Sequence, residues 1–104
     1  MEISRTPKPP YYAIIFTSIK REPAEGYENM ANYLNKLLPK QKGFLGYETA
    51  RENIGITVSY WENLEDVKAW KENEIHIKAQ EIGKRIWYED YTVRIAKVEK
   101  EYSL

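Results

Sequence analysis

The chain has 104 residues, and its 16 Lys and Arg residues are balanced by 16 Asp and Glu residues, so it carries no formal net charge at pH 7. This length predicts one domain with one core, and the balanced charge excludes an overall field that would hold a polyanion, so we expect no nucleic-acid or membrane binding. The absence of cysteine excludes disulfides, thiolate nucleophiles and cysteine-based metal sites.

The two ends of the chain are predicted to lie outside the folded domain. Residues 1–10 contain Pro7, Pro9 and Pro10, which remove backbone donors and favour an extended conformation. We therefore predict an N-terminal arm at 1–10, a domain at 11–98 and a C-terminal tail at 99–104. Because no apolar run approaches the roughly 18 residues of a membrane-spanning helix, and the first residues lack the apolar core of a signal peptide, we expect a soluble, cytoplasmic protein.

The first half of the domain is predicted to form a strand, a helix and a second strand. Residues 11–19 are rich in β-branched and aromatic side chains with almost no polar alternation, which is typical of a strand covered on both faces. Apolar residues at helical spacing over 27–38 predict an amphipathic helix. Pro39 ends this helix, and a short strand at 44–50 follows.

The next strand, 54–61, has two contrasting faces. One face is apolar and the other is small and polar apart from its last residue; the apolar face is Ile54, Ile56, Val58 and Tyr60, and the small face is Gly55, Thr57, Ser59 and Trp61. If no helix covers the small face, that face is either exposed or lines a space.

The second helical region begins with a capping signal. Asn63 can accept a hydrogen bond from a backbone N–H two or three residues on, and Glu65 and Asp66 place negative charge in the first turn, where the helix dipole favours it. The polar segment 72–74 interrupts the apolar stripe of this region. The pattern therefore predicts two short helices or one kinked helix, followed by a last strand at 88–98.

The order of elements is β-α-β-β-α-β, which predicts an α+β, ferredoxin-like fold: a four-stranded antiparallel sheet with the helices on one face. Helices on one side leave the other side of the sheet without a cover. A second copy of the chain is the simplest partner for that side, so we expect a homodimer.

A set of segments in the second half of the domain is distinctive: Tyr60-Trp61-Glu62, the helix from Leu64 to Trp70, Glu74-Ile75-His76 and Gly83-Lys84-Arg85-Ile86-Trp87-Tyr88. With them, residues 11–98 resemble the antibiotic biosynthesis monooxygenase (ABM) domain family, specifically its small single-domain members. The resemblance implies a dimeric α+β barrel with a pocket between sheet and helices in each subunit. Some family members oxygenate aromatic polyketides without metal or flavin, so the resemblance also implies a small hydrophobic or aromatic ligand and no cofactor.

Relatives with this fold that degrade haem use an Asn of the first strand, a Trp of the second helix and a His further along that helix. Trp70 matches the Trp. The first strand has no Asn, and the position ten residues after Trp70 is Gln80, whereas His76 follows after only six residues. The sequence therefore does not favour haem degradation.

Four residues are candidates for the pocket. His76 is the candidate general base, because histidine alone has an unperturbed pKa near neutrality; the alternative is a structural histidine bonded to a neighbouring backbone group or to Glu72 or Glu74. Phe16 and Trp70 are predicted to line the pocket, and Trp70 is equally typical of a core residue. Arg85 is predicted to stabilise a developing oxyanion there, with a surface ion pair as the alternative.

Trp61 is predicted to lie at the dimer interface, with a lid over the pocket as the alternative. Arg94 is a further candidate for binding an oxyanion. The single histidine and the scattered carboxylates show no metal-ligand spacing, so we expect no metal site.

Two functions of different classes fit these residues. The first is a cofactor-independent monooxygenase acting on a small aromatic or enolisable substrate, in which His76 or a tyrosine moves the proton. The second is a non-catalytic dimeric domain that binds a small ligand. The environment of the His76 ring discriminates between them, because a base must face the cavity that holds the substrate.

Overall fold

The structure is a computed structural model, and it describes residues 2–104 with the exception of the Glu74 side chain. In this part of the chain four strands and three helices follow one another as β1 (Tyr11–Lys20), α1 (Tyr27–Leu37), β2 (Phe44–Arg51), β3 (Gly55–Trp61), α2 (Leu64–Lys71), α3 (Glu74–Ile82) and β4 (Tyr88–Val98). A 3-10 turn, Leu38–Lys40, follows α1, and a π-helical turn, Gly83–Trp87, joins α3 to β4.

The strands form one antiparallel sheet in the order β2-β3-β1-β4. In its centre Ile14 of β1 lies opposite Ser59 of β3 and Ile95 of β4. The ferredoxin-like prediction is therefore confirmed.

Two asparagines divide the second helical region into separate helices. The Asn63 side chain accepts a hydrogen bond from the backbone N–H of Asp66 at 2.9 Å and caps α2. The Asn73 side chain accepts hydrogen bonds from the N–H groups of Ile75 at 3.0 Å and His76 at 3.3 Å and caps α3. Each side chain satisfies donors that a helix start leaves unpaired. Of the two arrangements that the sequence allows, the chain adopts two short helices.

The core lies between the helices and one face of the sheet, and Trp61 is at its centre. The Trp61 side chain is fully buried, at 0% exposure. Its Nε1–H donates to Ser59 Oγ at 2.9 Å, its ring stacks on Trp70 with centroids 6.3 Å apart, and Phe44 meets it edge-on at 5.6 Å. The predicted place of Trp61 at a dimer interface is wrong, because the helices cover the sheet face to which this residue belongs.

The N-terminal arm folds back over the opposite, outer face of the sheet. The Ser4 backbone N–H donates to Glu48 Oε2 at 2.8 Å, and the Tyr60 hydroxyl donates to Glu48 Oε1 at 2.6 Å. The Tyr11 hydroxyl lies between Thr6 of the arm and Glu101 of the tail and hydrogen-bonds with both. The arm and the tail thus cover one half of the outer face.

The other half of the outer face is left uncovered within the described residues 2–104. Ile15 and Val58 are half-buried there, and Ile19 and Ile56 are 39% and 44% exposed. This half is therefore an apolar strip, which we call the outer strip. None of the helices among the described residues is long and apolar enough to cross a membrane.

Candidate functional site

A cavity of about 230 Å³ lies between the inner face of the sheet and the helices. Its floor includes Ile14, Phe16, Thr57 and Ser59, and its walls come from α1, α3 and the helix ends around them, including Met30, Leu34, Trp70, His76 and Ala79. The small face of β3 thus lines a space, which is one of the two outcomes that its sequence allows. An apolar cavity of roughly 150 Å³ holds benzene, so this one has room for a small aromatic molecule.

His76 lines one end of the cavity and is held there by the carboxyl end of α2. Its Nδ1 lies 3.0 Å from the carbonyl oxygen of Trp70, and its ring is stacked on the Trp70 indole with centroids 4.5 Å apart and planes 17° apart. A carbonyl oxygen only accepts hydrogen bonds, so Nδ1 carries the proton and donates. The neutral ring therefore keeps its lone pair on Nε2.

The surroundings of His76 favour this neutral form. Burial lowers the pKa of His76 below its usual value of 6.5; the hydrogen bond to the Trp70 carbonyl acts in the opposite direction, and the nearby Lys71 cation lowers the pKa further. A histidine with a lowered pKa is unprotonated at neutral pH and is able to accept a proton. The end of the cavity at Trp70 thus contains a neutral imidazole.

Gln80, which stands where haem-degrading relatives have histidine, also lines the cavity. Its Nε2 donates to the Lys71 carbonyl oxygen at 3.3 Å and lies 3.5 Å from His76 Nδ1. Gln80 thus forms part of the cavity wall on the Nδ1 side of His76.

Arg51, at the end of β2, extends along the inner face of the sheet into the same cavity. Its Nη2 donates to Ser18 Oγ at 2.5 Å. The guanidinium lies directly over Gly55, where a Cβ would overlap it, and its Cζ is 6.0 Å from the centroid of the Tyr27 ring. Its Nη1 is buried and has no hydrogen-bond partner among the residues that the structure describes. The predicted strand ends at residue 50, so the sequence analysis did not identify Arg51 as a cavity residue.

Aromatic rings surround the Arg51 end of the cavity. Phe16 meets Tyr88 at 5.4 Å and Tyr91 at 5.5 Å between ring centroids, and Tyr27 meets Tyr88 edge-on at 5.8 Å. Burial, and then the neighbouring Tyr27 hydroxyl, raise the pKa of Tyr88, although Arg51 acts in the opposite direction. The Tyr88 hydroxyl is therefore protonated.

The structure brings Phe16, Trp70 and His76 together in one cavity and leaves Arg85 outside it. The π-helical turn directs Trp87 inward, where its Nε1–H donates to the Glu25 carbonyl oxygen at 2.8 Å, and Arg85 is exposed on the other side of that turn. The prediction for Arg85 is therefore wrong, and Arg51 is the arginine in the cavity. Arg94 is exposed on the outer face, opposite Ile15.

The donor groups around the cavity do not form a metal site within the described part of the chain, since no three His, Asp or Glu side chains there come together. The lining is instead mainly apolar and aromatic, and its polar groups include the His76 imidazole, the cations of Arg51 and Lys71 and the amides of Asn35 and Gln80.

A family model and a curated relative both match most of the chain. The family model for antibiotic biosynthesis monooxygenase matches residues 10–82. The uncharacterized protein YqjZ of Bacillus subtilis (strain 168) is 46% identical over 101 residues, which are 95% of this chain and 89% of YqjZ.

Solved structures share the fold. Rv0793 from Mycobacterium tuberculosis superposes with a TM-score of 0.78 at 9% identity, over 89% of this chain and 99% of that one. A provisional antibiotic biosynthesis monooxygenase from Deinococcus radiodurans superposes with a TM-score of 0.75 at 12% identity, over 90% and 97% of the two chains. Identities this low establish the fold alone.

Proposed function

The chain belongs to the antibiotic biosynthesis monooxygenase family, and from this premise we propose that it oxygenates a small aromatic or enolisable substrate without a bound metal or flavin. One observation carries the proposal: the only histidine of the chain lines an apolar cavity with a fixed tautomer, so that its Nε2 is a neutral base. The apolar lining suits an aromatic ring and keeps water from the reacting carbon.

The chemistry balances with molecular oxygen as the only co-reactant. Nε2 of His76 takes one proton from an acidified CH₂ group of the substrate and leaves a carbanion. The carbanion gives one electron to O₂, and the resulting radical combines with superoxide to form a peroxide anion. The imidazolium returns its proton to this anion. The hydroperoxide then loses the second C–H proton together with hydroxide, so that CH₂ and O₂ become C=O and H₂O.

The surroundings of His76 support its part in this sequence. The Trp70 carbonyl holds Nδ1–H, so the ring does not need to rotate between taking and returning the proton. The stacked Trp70 indole, itself 6% exposed, fixes the plane of the ring. A positioned base of this kind contributes roughly 100- to 10,000-fold to a rate.

Oxygen uptake tests the proposal. The metal-free protein is mixed with dihydroxyaromatic and anthrone-like compounds, beside His76→Ala and, as a control, Arg85→Gln, which changes an exposed residue outside the cavity. We expect uptake that requires the protein, falls about 100-fold or more in His76→Ala and is unchanged in Arg85→Gln. Equal uptake by His76→Ala would show that this histidine is not the base. Thermal stabilisation by the same compounds without any uptake would instead assign a ligand-binding domain.

We also propose that two copies of the chain associate through the outer strip. This proposal is supported by the apolar side chains of the outer strip, which neither the arm nor the helices cover: Ile15, Ile19, Ile56 and Val58. Packing sheet on sheet would remove these side chains from water.

A further inference from the structure

The Arg51 side chain is a half-buried cation without a counter-ion in the described part of the chain. Arginine stays protonated in proteins, so its charge persists in the cavity. The ion pair found among the described residues joins Lys20 and Glu22 at 3.6 Å, and Arg51 takes no part in it. Burying a charge without a partner costs free energy that a bound anion would recover. The buried Nη1 also has no hydrogen-bond partner among the described residues, so the charge of Arg51 is only partly compensated within the chain.

The guanidinium is also held in place before any ligand arrives. Ser18, which is 2% exposed on the central strand, accepts the hydrogen bond of Nη2. The guanidinium occupies the space that a side chain at position 55 would fill, and the Tyr27 ring faces the guanidinium. A donor that is already oriented loses little entropy when it binds an anion.

The neighbours of Arg51 at this end of the cavity are tyrosines. Tyr27, Tyr88 and Tyr91 line it with hydroxyl groups, and no carboxylate lines the cavity among the described side chains. Phenol hydroxyls donate hydrogen bonds to a carboxylate but do not neutralise arginine. This end of the cavity therefore combines one positive charge with donors, which is the arrangement that an anion requires.

Arg51 and His76 lie towards opposite ends of the sheet, and the Lys71 cation is near His76. Arg51 covers Gly55 at the first residue of β3, whereas the Trp70–His76 stack packs on Trp61 at its last residue. These two β3 residues are about 20 Å apart at roughly 3.3 Å per residue, and the two side chains reach inward from both ends. A molecule of one or two rings with an acidic group at one end fits between them.

We propose that the substrate of this cavity is an aromatic acid, whose carboxylate binds the Arg51 guanidinium while its acidified carbon faces His76. The inference rests on the proposed function and names its substrate class. In this arrangement Arg51 binds the carboxylate of the substrate, and His76 carries out the proton transfer.

Calorimetric titration with 1-hydroxy-2-naphthoate and with its neutral counterpart 1-hydroxy-2-naphthamide tests this inference. We expect the acid to bind about 10- to 100-fold more tightly than the amide, as a charge-assisted hydrogen bond predicts. Arg51→Gln should remove this preference, Arg51→Lys should keep part of it, and Arg85→Gln should leave it unchanged. Equal binding of acid and amide by the unaltered protein, including no binding of either, would overturn the inference, as would an unchanged preference in Arg51→Gln.

Two further variants keep the test decisive. If Arg51→Gln does not fold, Gly55→Ala serves in its place, because the added Cβ displaces the guanidinium without removing the charge, and it should lower the preference for the acid. His76→Ala should keep the preference while losing oxygen uptake. A preference for the acid without uptake by the unaltered protein would refute the proposed function alone, and uptake without such a preference would refute the aromatic-acid inference alone.

Discussion

Replacing Trp61 with alanine should remove a large part of the free energy of unfolding of this domain. The side chain is fully buried, and truncating a buried tryptophan costs about 3–5 kcal/mol. The edge-on contact with Phe44 and the stack on Trp70 place the cost towards the upper end of that range. A domain of this size is stable by about 5–15 kcal/mol, so we expect Trp61→Ala to lose a third of its stability or more.

Urea denaturation followed by circular dichroism measures this loss, and Trp61→Phe is the matched control. Phenylalanine keeps an aromatic ring in the core but removes the Nε1–H that donates to Ser59, which is 6% exposed. We expect Trp61→Phe to cost about 1–3 kcal/mol, the penalty of an unpaired buried hydroxyl. Sedimentation should show the same oligomeric state for Trp61→Phe and the unaltered protein. A loss under about 1 kcal/mol in Trp61→Ala, together with a shift towards smaller species, would refute the core assignment.

Three other changes test separate parts of the structure. Gly43→Ala should lower the free energy of unfolding by more than about 2 kcal/mol in urea denaturation, because φ is +80° and a Cβ there would overlap the Asp66 carboxylate. Gly26 has φ +79° but open space around it, so Gly26→Ala should show only the cost of the strained backbone. Equal losses in the two variants would contradict this reasoning. Because the folded-state pKa of His76 is lowered, oxygen uptake should rise with pH to a plateau with a midpoint below 6.5. The lowered pKa also means that the free energy of unfolding is highest above pH 6.5 and falls as the pH drops through the folded-state pKa of His76. His76→Gln should remove this pH dependence. A midpoint above pH 6.5 would contradict both the uptake and the stability prediction. Ile56→Glu should weaken self-association in sedimentation while leaving the urea midpoint almost unchanged, and an unaltered association would exclude the outer strip as the interface.

The sequence was sufficient for the order of elements and for the Asn63 cap, because these depend on local chemistry. Alternation along β3 correctly placed Trp61 on the same face as Gly55, Thr57 and Ser59. Alternation does not say which of the two faces the helices cover, since that depends on how the connections return across the sheet. The assignment of Trp61 to an interface failed for this reason, although its face was right.

Arg51 shows a second limit of sequence reasoning. Arg51-Glu52-Asn53 has the composition of a polar turn, but β2 continues through Arg51, which pairs with Gly55 across the hairpin. The signal that could have found it is this glycine, because a strand residue without a side chain opposite a long cation leaves space for that cation to lie flat. The distinction between turn and strand required the register, which the sequence does not give.

The folded-back arm has a practical consequence for attaching labels or surfaces to the protein. Ser4 packs directly against Gly46, where a Cβ would overlap the serine hydroxyl, so the first residues are part of the folded body. A fluorophore or affinity peptide joined there would sit beside the sheet and compete with the Ser4–Glu48 contact. Tyr102 and Leu104 at the other end are fully exposed, so immobilisation through the carboxyl terminus should leave both faces of the sheet undisturbed.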